Sequence, residues 1–304
     1  AKPPSQNHLR KTTFAKPLSP NIIRKMTPAN MKPSPELTVA INAAKKAEQI
    51  LSSYFSDLAS AEIRTKYTNE EFQGVVTKAD IEAERAIVNE IGSVLPDHQF
   101  LAEEEHSGTL ESDHLWVIDP LDGTNNFAHG IPHFAISIAY YREGVAECGV
   151  ILNPTTGDLF TTQHGKGSYW NANPVSVNQH ASLENTMIAV GFYYDRGEMM
   201  KATLNAVEAL FQKKIHGIRR FGTAALDLVQ VGLGRFGGYF EYELSPWDFA
   251  AARLFVEEAG GTVSNCKGNP LPLQKSSVLA TNSTLHPQIL EIVSKYADFQ
   301  QAET

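Results

Sequence analysis

One stretch, Trp116-Val117-Ile118-Asp119-Pro120-Leu121-Asp122-Gly123-Thr124-Asn125-Asn126-Phe127, constrains this chain more than any other. Apolar residues of strand character run straight into two aspartates, a proline and a glycine, and the pattern then becomes helical. Pro120 fixes its own φ and pushes Asp119 into an extended conformation, so that Asp119 and Asp122 can converge on one point. Gly123 lets the backbone approach a ligand, and the free amides of Gly123, Thr124 and Asn125 at a helix start offer donors to a phosphate. A solvated surface turn does not explain why an aspartate closes an apolar strand at this place.

Four further acids can join the turn: Glu103 and Glu104 at a predicted strand end, Asp80 before a predicted helix, and Asp248 after Trp247. Taken singly they have plain structural readings, Glu103-Glu104-Glu105 as a solvated loop and Asp80 as a helix N-cap. Taken together they pose an electrostatic problem. At about 5 Å and an effective dielectric near 20, each carboxylate pair repels by about 3 kcal/mol, so several cannot stay ionised without cations. Lys78 is the one base inside these motifs. The expected counterion is therefore a divalent metal, and all-oxygen donors point to Mg²⁺, with Mn²⁺ as a substitute, rather than zinc.

The flanking pattern divides the chain. Ser34-Pro35-Glu36 opens a helix expected to run to Ala59, with Leu37, Ile41, Ala44, Ala47, Leu51, Phe55 and Leu58 on one face. A polar loop and a short strand, Val75-Val76-Thr77, follow. The next helix is expected after Asp80, with Ile81, Ala83, Ile87 and Ile91 inward and Gly92 and Pro96 ending it. Strands are expected at 100–103, 115–119, 134–141, 146–152 and 159–162, closely spaced as in a largely antiparallel sheet. Beyond about residue 185 strands and helices alternate: strands at 187–190, 218–221 and 239–242, helices at 198–212, 223–232 and 247–259. Gly232, Gly234, Gly237 and Gly238 read as a turn between helix and strand.

Charge bounds the partners. Residues 1–35 hold seven Lys and Arg and no acid, so the remainder carries −15 against −8 for the whole chain. An acidic body argues against a nucleic-acid substrate. No apolar run approaches the roughly 18 residues of a membrane span, so no membrane partner is expected. The basic, proline-rich head, residues 1–33, reads as a disordered leader of the kind that carries an organellar address on an otherwise cytoplasmic protein; an internal start at Met26 or Met31 is the alternative. Cys148 and Cys266 lack CxxC spacing and read as buried apolar fillers. No G-x-S-x-G or P-loop occurs, and His129 and His133 lack paired metal spacing and read as structural.

Residues 119–127, DPLDGTNNF, resemble the first signature of the inositol monophosphatase family, and Trp247-Asp248 through Glu258-Ala259-Gly260-Gly261 resemble the second. Ala102-Glu103-Glu104, Val76-Thr77-Lys78-Ala79-Asp80 and Arg220 through Asp227 extend the resemblance over residues 36–298. It implies a layered αβαβα sandwich of the inositol monophosphatase and fructose-1,6-bisphosphatase type. The fold class is α/β, with an α+β half at 34–184 carrying most metal ligands and an α/β half at 185–304 carrying Asp248 and substrate contacts.

The resemblance also implies roles. Glu103, Asp119 and the Leu121 carbonyl would hold a first Mg²⁺, and Asp119, Asp122 and Asp248 a second; a weaker third ion would lean on Glu103. Thr124, oriented by Asp80, would position the attacking water, with Glu103 polarising it and Glu104 as a helper. Gly123 and Thr124 would face the phosphate, and Asp122, Thr223, Ala224 and Glu241 the rest of a small phosphorylated polyol or sugar. Inositol monophosphate is the expected substrate of a lithium-sensitive homodimer. Fructose-1,6-bisphosphatase, histidinol-phosphate and NADP phosphatase activities are the enzymatic alternatives, and a regulatory binding protein on the same fold is the other. Thr68 to Gly74 departs from the family's usual loop; Lys66 is expected to touch the site from it, and Glu70 and Glu71 to reach a third metal or to face water. Glu105 replaces a small residue and is expected to perturb the neighbouring water.

Overall fold

A computed structural model describes residues 33–68 and 71–298. Apart from Pro33, the expected leader lies outside the described residues. Helix α1 (Pro35–Ser56) starts where the Ser34 hydroxyl accepts the Leu37 amide and Pro35 occupies the first turn. It stops three residues short of the expected end, because Asp57 leaves helical geometry and a 3₁₀ turn at Leu58–Ala61 follows. The expected polar loop contains a hairpin instead, β1 (Arg64–Thr68) against β2 (Glu71–Val76). The end of β2, Val75-Val76, is the short strand expected there, with Thr77 capping the next helix instead; the rest of the hairpin is polar and has no apolar alternation to reveal it. Helix α2 (Lys78–Val94) begins before Asp80 rather than after it. Its inner face is therefore Ala79, Asp80, Ala83, Glu84, Ile87 and Ile91, and Ile81 turns outward.

Seven strands form the first sheet in chain order: β3 (Gln99–Ala102), β4 (His114–Asp122), β5 (Ala135–Arg142), β6 (Val145–Asn153), β7 (Asp158–Gln163), β8 (Gly167–Trp170) and β9 (Asn173–Val175). Only the β3–β4 pair is parallel. Neither β8 nor β9 was evident from the sequence, being short and rich in glycine and polar residues. A five-stranded sheet has the order β11 (Gly217–Arg219), β10 (Met187–Val190), β12 (Gly238–Leu244), β14 (Ser276–Asn282), β13 (Gly261–Ser264). Here β10 is parallel to both neighbours, and β14 is antiparallel to both of its own. The short helix α3 (Thr124–Ala128) follows β4; α4 (Glu198–Gln212), α5 (Ala224–Gly232), α6 (Pro246–Glu258) and α7 (His286–Val293) complete the helices used below. Strands β13 and β14 and helix α7 lie beyond the last element read from the pattern.

Alternation along β4 shows how the layers stack. Trp116 and Ile118 face one apolar cluster with Leu37, Ile41 and Leu51 of α1 and Ile87 and Ile91 of α2. Leu115 and Val117 face the other way, toward Leu228 of α5, Phe249 and Phe255 of α6, and Tyr239 and Val278 of the second sheet. The outer face of that second sheet packs Ile188, Phe240 and Leu279 against Leu210 of α4 and Ile289 of α7. Helices, sheet, helices, sheet, helices therefore follow in order, the expected αβαβα sandwich. A strand buried on both faces reads as a continuous apolar run, as 115–118 does. Cys148 and Cys266 are buried and unpaired.

Candidate active site

Strand β4 continues past its expected end at Asp119. Asp119 pairs with Ser137 and Asp122 with Ala135, so the β4 segment has one residue more than its partner and bulges at Pro120-Leu121. A bulge redirects side chains, and proline is tolerated there because the ladder is already interrupted. Asp119 Oδ1 accepts the Leu121 amide at 2.9 Å, closing the turn. Gly123, at φ 95°, caps α3, and a Cβ there would sit 2.5 Å from Thr223 Cγ2, so conformation and space both demand glycine.

Two of the expected acids are reciprocal caps in the first turn of their helices, Asp80 inside its helix rather than ahead of it and Asp248 inside its helix as expected. The Thr77 amide donates to Asp80 Oδ2 at 2.8 Å, and the Ser245 amide to Asp248 Oδ2 at 2.7 Å. Each carboxylate thus spends one oxygen on its helix terminus and keeps the other for the site. Asp80 Oδ1 uses that freedom at once, accepting from the Thr124 hydroxyl at 3.1 Å; the Leu121 carbonyl, at 3.0 Å, is that hydroxyl's second acceptor.

The 103–105 turn is held from below. Glu84, fully buried, accepts the amides of Glu104 and Glu105 at 2.8 Å each and contacts His106 Nδ1 at 2.7 Å. Sequence reading missed it, although Asp80 and Glu84 at i and i+4 on an apolar helix face were the signal. Lys66 Nζ reaches Glu103 at 3.1 Å and Glu104 at 2.5 Å, as expected of it. Lys78, the base inside the motifs, instead points to Glu62 and Glu82 at 3.6 and 3.9 Å. Glu105 is bound outward by Arg85 at 2.5 Å and does not line the cavity, which corrects the expectation that it disturbs a site water. The side chains of Glu70 and Glu71 lie outside the described residues.

The second half supplies the opposite wall. Asp122 accepts the amides of Ala224 at 3.2 Å and Ala225 at 2.8 Å, at the start of α5. Thr223 caps that helix and lies 3.5 Å from His133 Nε2. Glu241 accepts the Tyr239 hydroxyl at 2.5 Å, a partner not foreseen. Asp227, 2% exposed, also borders the site and was missed; its Oδ1 has no hydrogen-bond partner among the described residues.

These groups surround a cavity of about 560 Å³ in which Glu103, Asp119, Leu121, Asp122, Gly123, Thr124, Thr223, Ala224, Glu241 and Asp248 all take part. Asp80 lies behind Thr124, outside the lining. Burial, reinforced by Glu103, Asp122 and Asp248, pushes Asp119 well above the carboxylate range, and burial with Glu103 and Asp122 does the same to Asp248. Burial raises Asp122 to about 7 against the opposing pull of the α5 amides, and Asp80 to about 7 against that of Thr77. Burial also raises Glu104 and Glu241, each to about 7. Lys66 is lowered by burial, but Glu103 and Glu104 outweigh that and hold it above its usual value.

Carboxylates that share a cavity and raise one another's proton affinity fit a divalent cation, and oxygen donors fit a hard one. Among the described residues, no group of three or more Asp, Glu, His or Cys side chains is arranged to hold a metal ion as it stands. The fit therefore lies in donor chemistry and charge, with the Leu121 carbonyl and water as further oxygens. No helix among the described residues is long and apolar enough to cross a membrane.

Comparison with known proteins places this architecture. The inositol-1-monophosphatase of Mesorhizobium japonicum is 38% identical over 263 residues, 85% of this chain and 96% of that protein. Nus factor SuhB of Escherichia coli K12 is 38% identical over 251 residues, 82% of this chain and 91% of the relative. Among solved structures, the extragenic suppressor protein suhB from Bartonella henselae superposes with a TM-score of 0.80 at 36% identity, over 86% of this chain and 99% of the other. The inositol monophosphatase from Anabaena does so at 0.73 and 34%, over 86% and 95%. The sequence pattern of the inositol monophosphatase family matches residues 32–298, and the chain belongs to that family of phosphatases.

Proposed function

We propose that this chain hydrolyses a small phosphate monoester of a polyol or sugar, inositol monophosphate first among them, with Mg²⁺ at the acidic end of the cavity. The convergence of Asp119, Asp122, Asp248 and Glu103 on the cavity that Thr124 also lines, with Asp80 bonded behind it, carries this reading. Glu103, Asp119 and the Leu121 carbonyl would hold one ion, and Asp119, Asp122 and Asp248 another, with a third leaning on Glu103. Bound magnesium supplies charge neutralisation and Lewis acidity at the phosphoryl group.

The chain's own residues do the rest. Thr124 donates to Asp80, so its oxygen lone pairs are free to accept a hydrogen bond from water and hold that water in line behind phosphorus. Glu103 polarises the same water, and Glu104, tied to Lys66, is a helper. Attack forms the new P–O bond as the bond to the leaving alkoxide breaks, with no phosphoenzyme. The amides of Gly123 and Thr124 face the phosphate, while Asp122, Glu241, Thr223 and Ala224 take the polyol hydroxyls. A homodimer is part of this proposal, and the net charge of −8 fits the absence of nucleic acid from the substrate list.

Phosphate release from inositol 1-phosphate, fructose 1,6-bisphosphate, histidinol phosphate and NADP, with and without Mg²⁺ and Li⁺, tests the reading. Magnesium-dependent turnover inhibited by lithium is expected; no turnover of any monoester would end it. A regulatory reading is favoured by one observation, that relatives at 38% identity carry the name Nus factor. A wild-type chain that binds Mg²⁺ tightly and hydrolyses nothing would favour it.

A further inference from the structure

Segment 191–197, which joins β10 to α4, lines the cavity with Gly191, Phe192, Tyr193, Tyr194 and Arg196. It is tied down at both ends. The Gly191 amide donates to the Phe240 carbonyl at 3.1 Å, and Asp195 Oδ1 accepts the amides of Gly197 and Met199 at 2.8 and 3.1 Å, at the start of α4. Arg196 Nη1 folds back on the carbonyls of Tyr193 and Asp195, at 2.7 and 3.2 Å. Between these ties the two tyrosines meet edge to face, with ring centroids 5.5 Å apart, and send their hydroxyls to different partners.

Tyr194 reaches the first half of the molecule. Its hydroxyl accepts from Asn125 Nδ2 of α3 at 3.3 Å, and burial, reinforced by Glu103, Asp248 and Glu241, pushes it up to about 12. A phenol that senses those three acids stands over the middle of the cavity. Tyr193 reaches outward. Its hydroxyl accepts from Lys275 Nζ at 2.8 Å, and the same ammonium lies 4.5 Å from the ring centroid and 2.5 Å from Glu243 Oε1. Glu243, 8% exposed, follows Glu241 by two residues on β12, and Lys275 directly precedes β14. Neither lines the cavity. The contacts therefore run in series from Glu243 to Lys275 to Tyr193, and through the adjoining peptide to Tyr194 and Asn125.

An ammonium half in water contributes little as a surface ion pair alone. This one meets a buried acid, a phenol oxygen and an aromatic face at once, and the last two fix Tyr193 in one place. A segment that crosses a cavity between a strand and a helix closes it only when its middle is held, because ties at its two ends do not set where the tyrosines between them stand. We infer that Lys275 is a positioning residue: clasping Tyr193 from outside, it holds segment 191–197 closed over the end of the cavity where Gly191 abuts Glu241, and keeps Tyr194 against Asn125. The inference rests on the proposed phosphatase reading only for what the closed segment does to a substrate.

The test uses the full chain with Mg²⁺ and compares inositol 1-phosphate with p-nitrophenyl phosphate, an ester without a polyol. Lys275→Met keeps the aliphatic stem and removes the ammonium. It should raise the KM of inositol 1-phosphate roughly three- to tenfold, the scale of one hydrogen bond, with kcat within about twofold and the KM of p-nitrophenyl phosphate unchanged. Lys275→Arg should bring that KM back toward wild type. Tyr193→Phe should cost less in the Lys275→Met background than in the wild type, since both changes break one contact. Tryptic cleavage after Arg196, an exposed site inside the segment, gives a readout independent of turnover, and it should be about threefold or more faster in Lys275→Met. Arg142→Ala, an exposed change on β5, should alter neither readout. Equal KM increases on both esters, or a lower unfolding temperature with KM unaltered, would reduce Lys275 to a stabilising surface pair and overturn the inference. So would cleavage at the wild-type rate. Turnover of no ester by the wild type would overturn the phosphatase reading, and the cleavage rate would still decide the clasp.

Discussion

Glu84 holds the backbone of Glu104, not its side chain: the buried carboxylate of α2 accepts the Glu104 amide at 2.8 Å and fixes a turn twenty residues away. Glu84→Ala leaves that amide, the Glu105 amide and His106 Nδ1 without their acceptor. A loss of about 2–4 kcal/mol in unfolding free energy is expected. Urea denaturation measures it, and Glu84→Gln, which keeps one acceptor oxygen, should fall between the two. An unchanged midpoint would show that the turn is held by other means.

Removing the Thr124 hydroxyl separates its proposed chemical role from its place in α3. Thr124→Val preserves shape and abolishes donation to Asp80 and Leu121. A fall of about 10²–10³ in kcat with a small change in KM is the expected signature of a water-positioning group. Thr124→Ser should return activity to within about tenfold of wild type. A valine variant as fast as wild type would remove Thr124 from the reaction.

Asp122→Asn keeps the volume and one acceptor oxygen but sets an NH₂ group against an α5 amide, which also donates. Turnover should drop by about 10³ or more, because both the proposed cation and its neighbours lose charge compensation. Circular dichroism should remain that of the wild type. A normal rate would contradict the assigned role.

Acid stability follows from the sign of the shifts. Asp80, Asp122, Glu104 and Glu241 are raised by burial to about 7, whereas an unfolded chain's carboxylates titrate near 4. The folded protein therefore binds more protons between those values. In chelator-treated protein the contribution of these four groups to stability is fully present below about pH 4 and is lost as pH rises through about 7. Magnesium, by replacing those protons, should raise the unfolding temperature more at pH 8 than at pH 5. Differential scanning calorimetry with and without chelator checks this, and a gain from Mg²⁺ that shrinks with rising pH would refute it.

Glu241 depends on the bareness of a neighbour. A Cβ at Gly191 would fall 1.7 Å from Glu241 Oε2, so Gly191→Ala must displace the carboxylate from Tyr239. A KM increase of roughly tenfold for polyol phosphates is expected, with a much smaller effect on a hydroxyl-poor ester such as p-nitrophenyl phosphate. Equal effects on both would deny Glu241 a role in hydroxyl recognition.

Much of this was legible because local chemistry and fold agree. Strand 187–190 and helix 198–212 have the expected limits, and the apolar run at 115–118 announced a strand buried on both sides. The acidic turn was legible because proline, glycine and two aspartates have few other uses after such a run. Pairings that cross the chain were not. The bulge that extends β4 depends on the register of β5, and the grip of Glu84 depends on where β3 ends. Asp80 was misplaced by one turn because a reciprocal cap and a simple N-cap look alike until the helix start is known, whereas Asp248 fell inside its expected helix. Tyr239, Asp227 and Lys275 lay outside the chemical reading because each matters through neighbours brought in by the second sheet.

The grip of Asp122 on the amides of Ala224 and Ala225 spans a hundred residues of chain. During synthesis, the first sheet and its acids emerge from the ribosome long before the helix that orients them. A nascent fragment ending ahead of Ala224 has the carboxylates but no opposite wall, so it cannot act on the phosphate esters around it. On the proposed assignment of Asp248 to a cation, competence waits until that residue too has left the exit tunnel, which ties the onset of activity to completion of the whole sandwich.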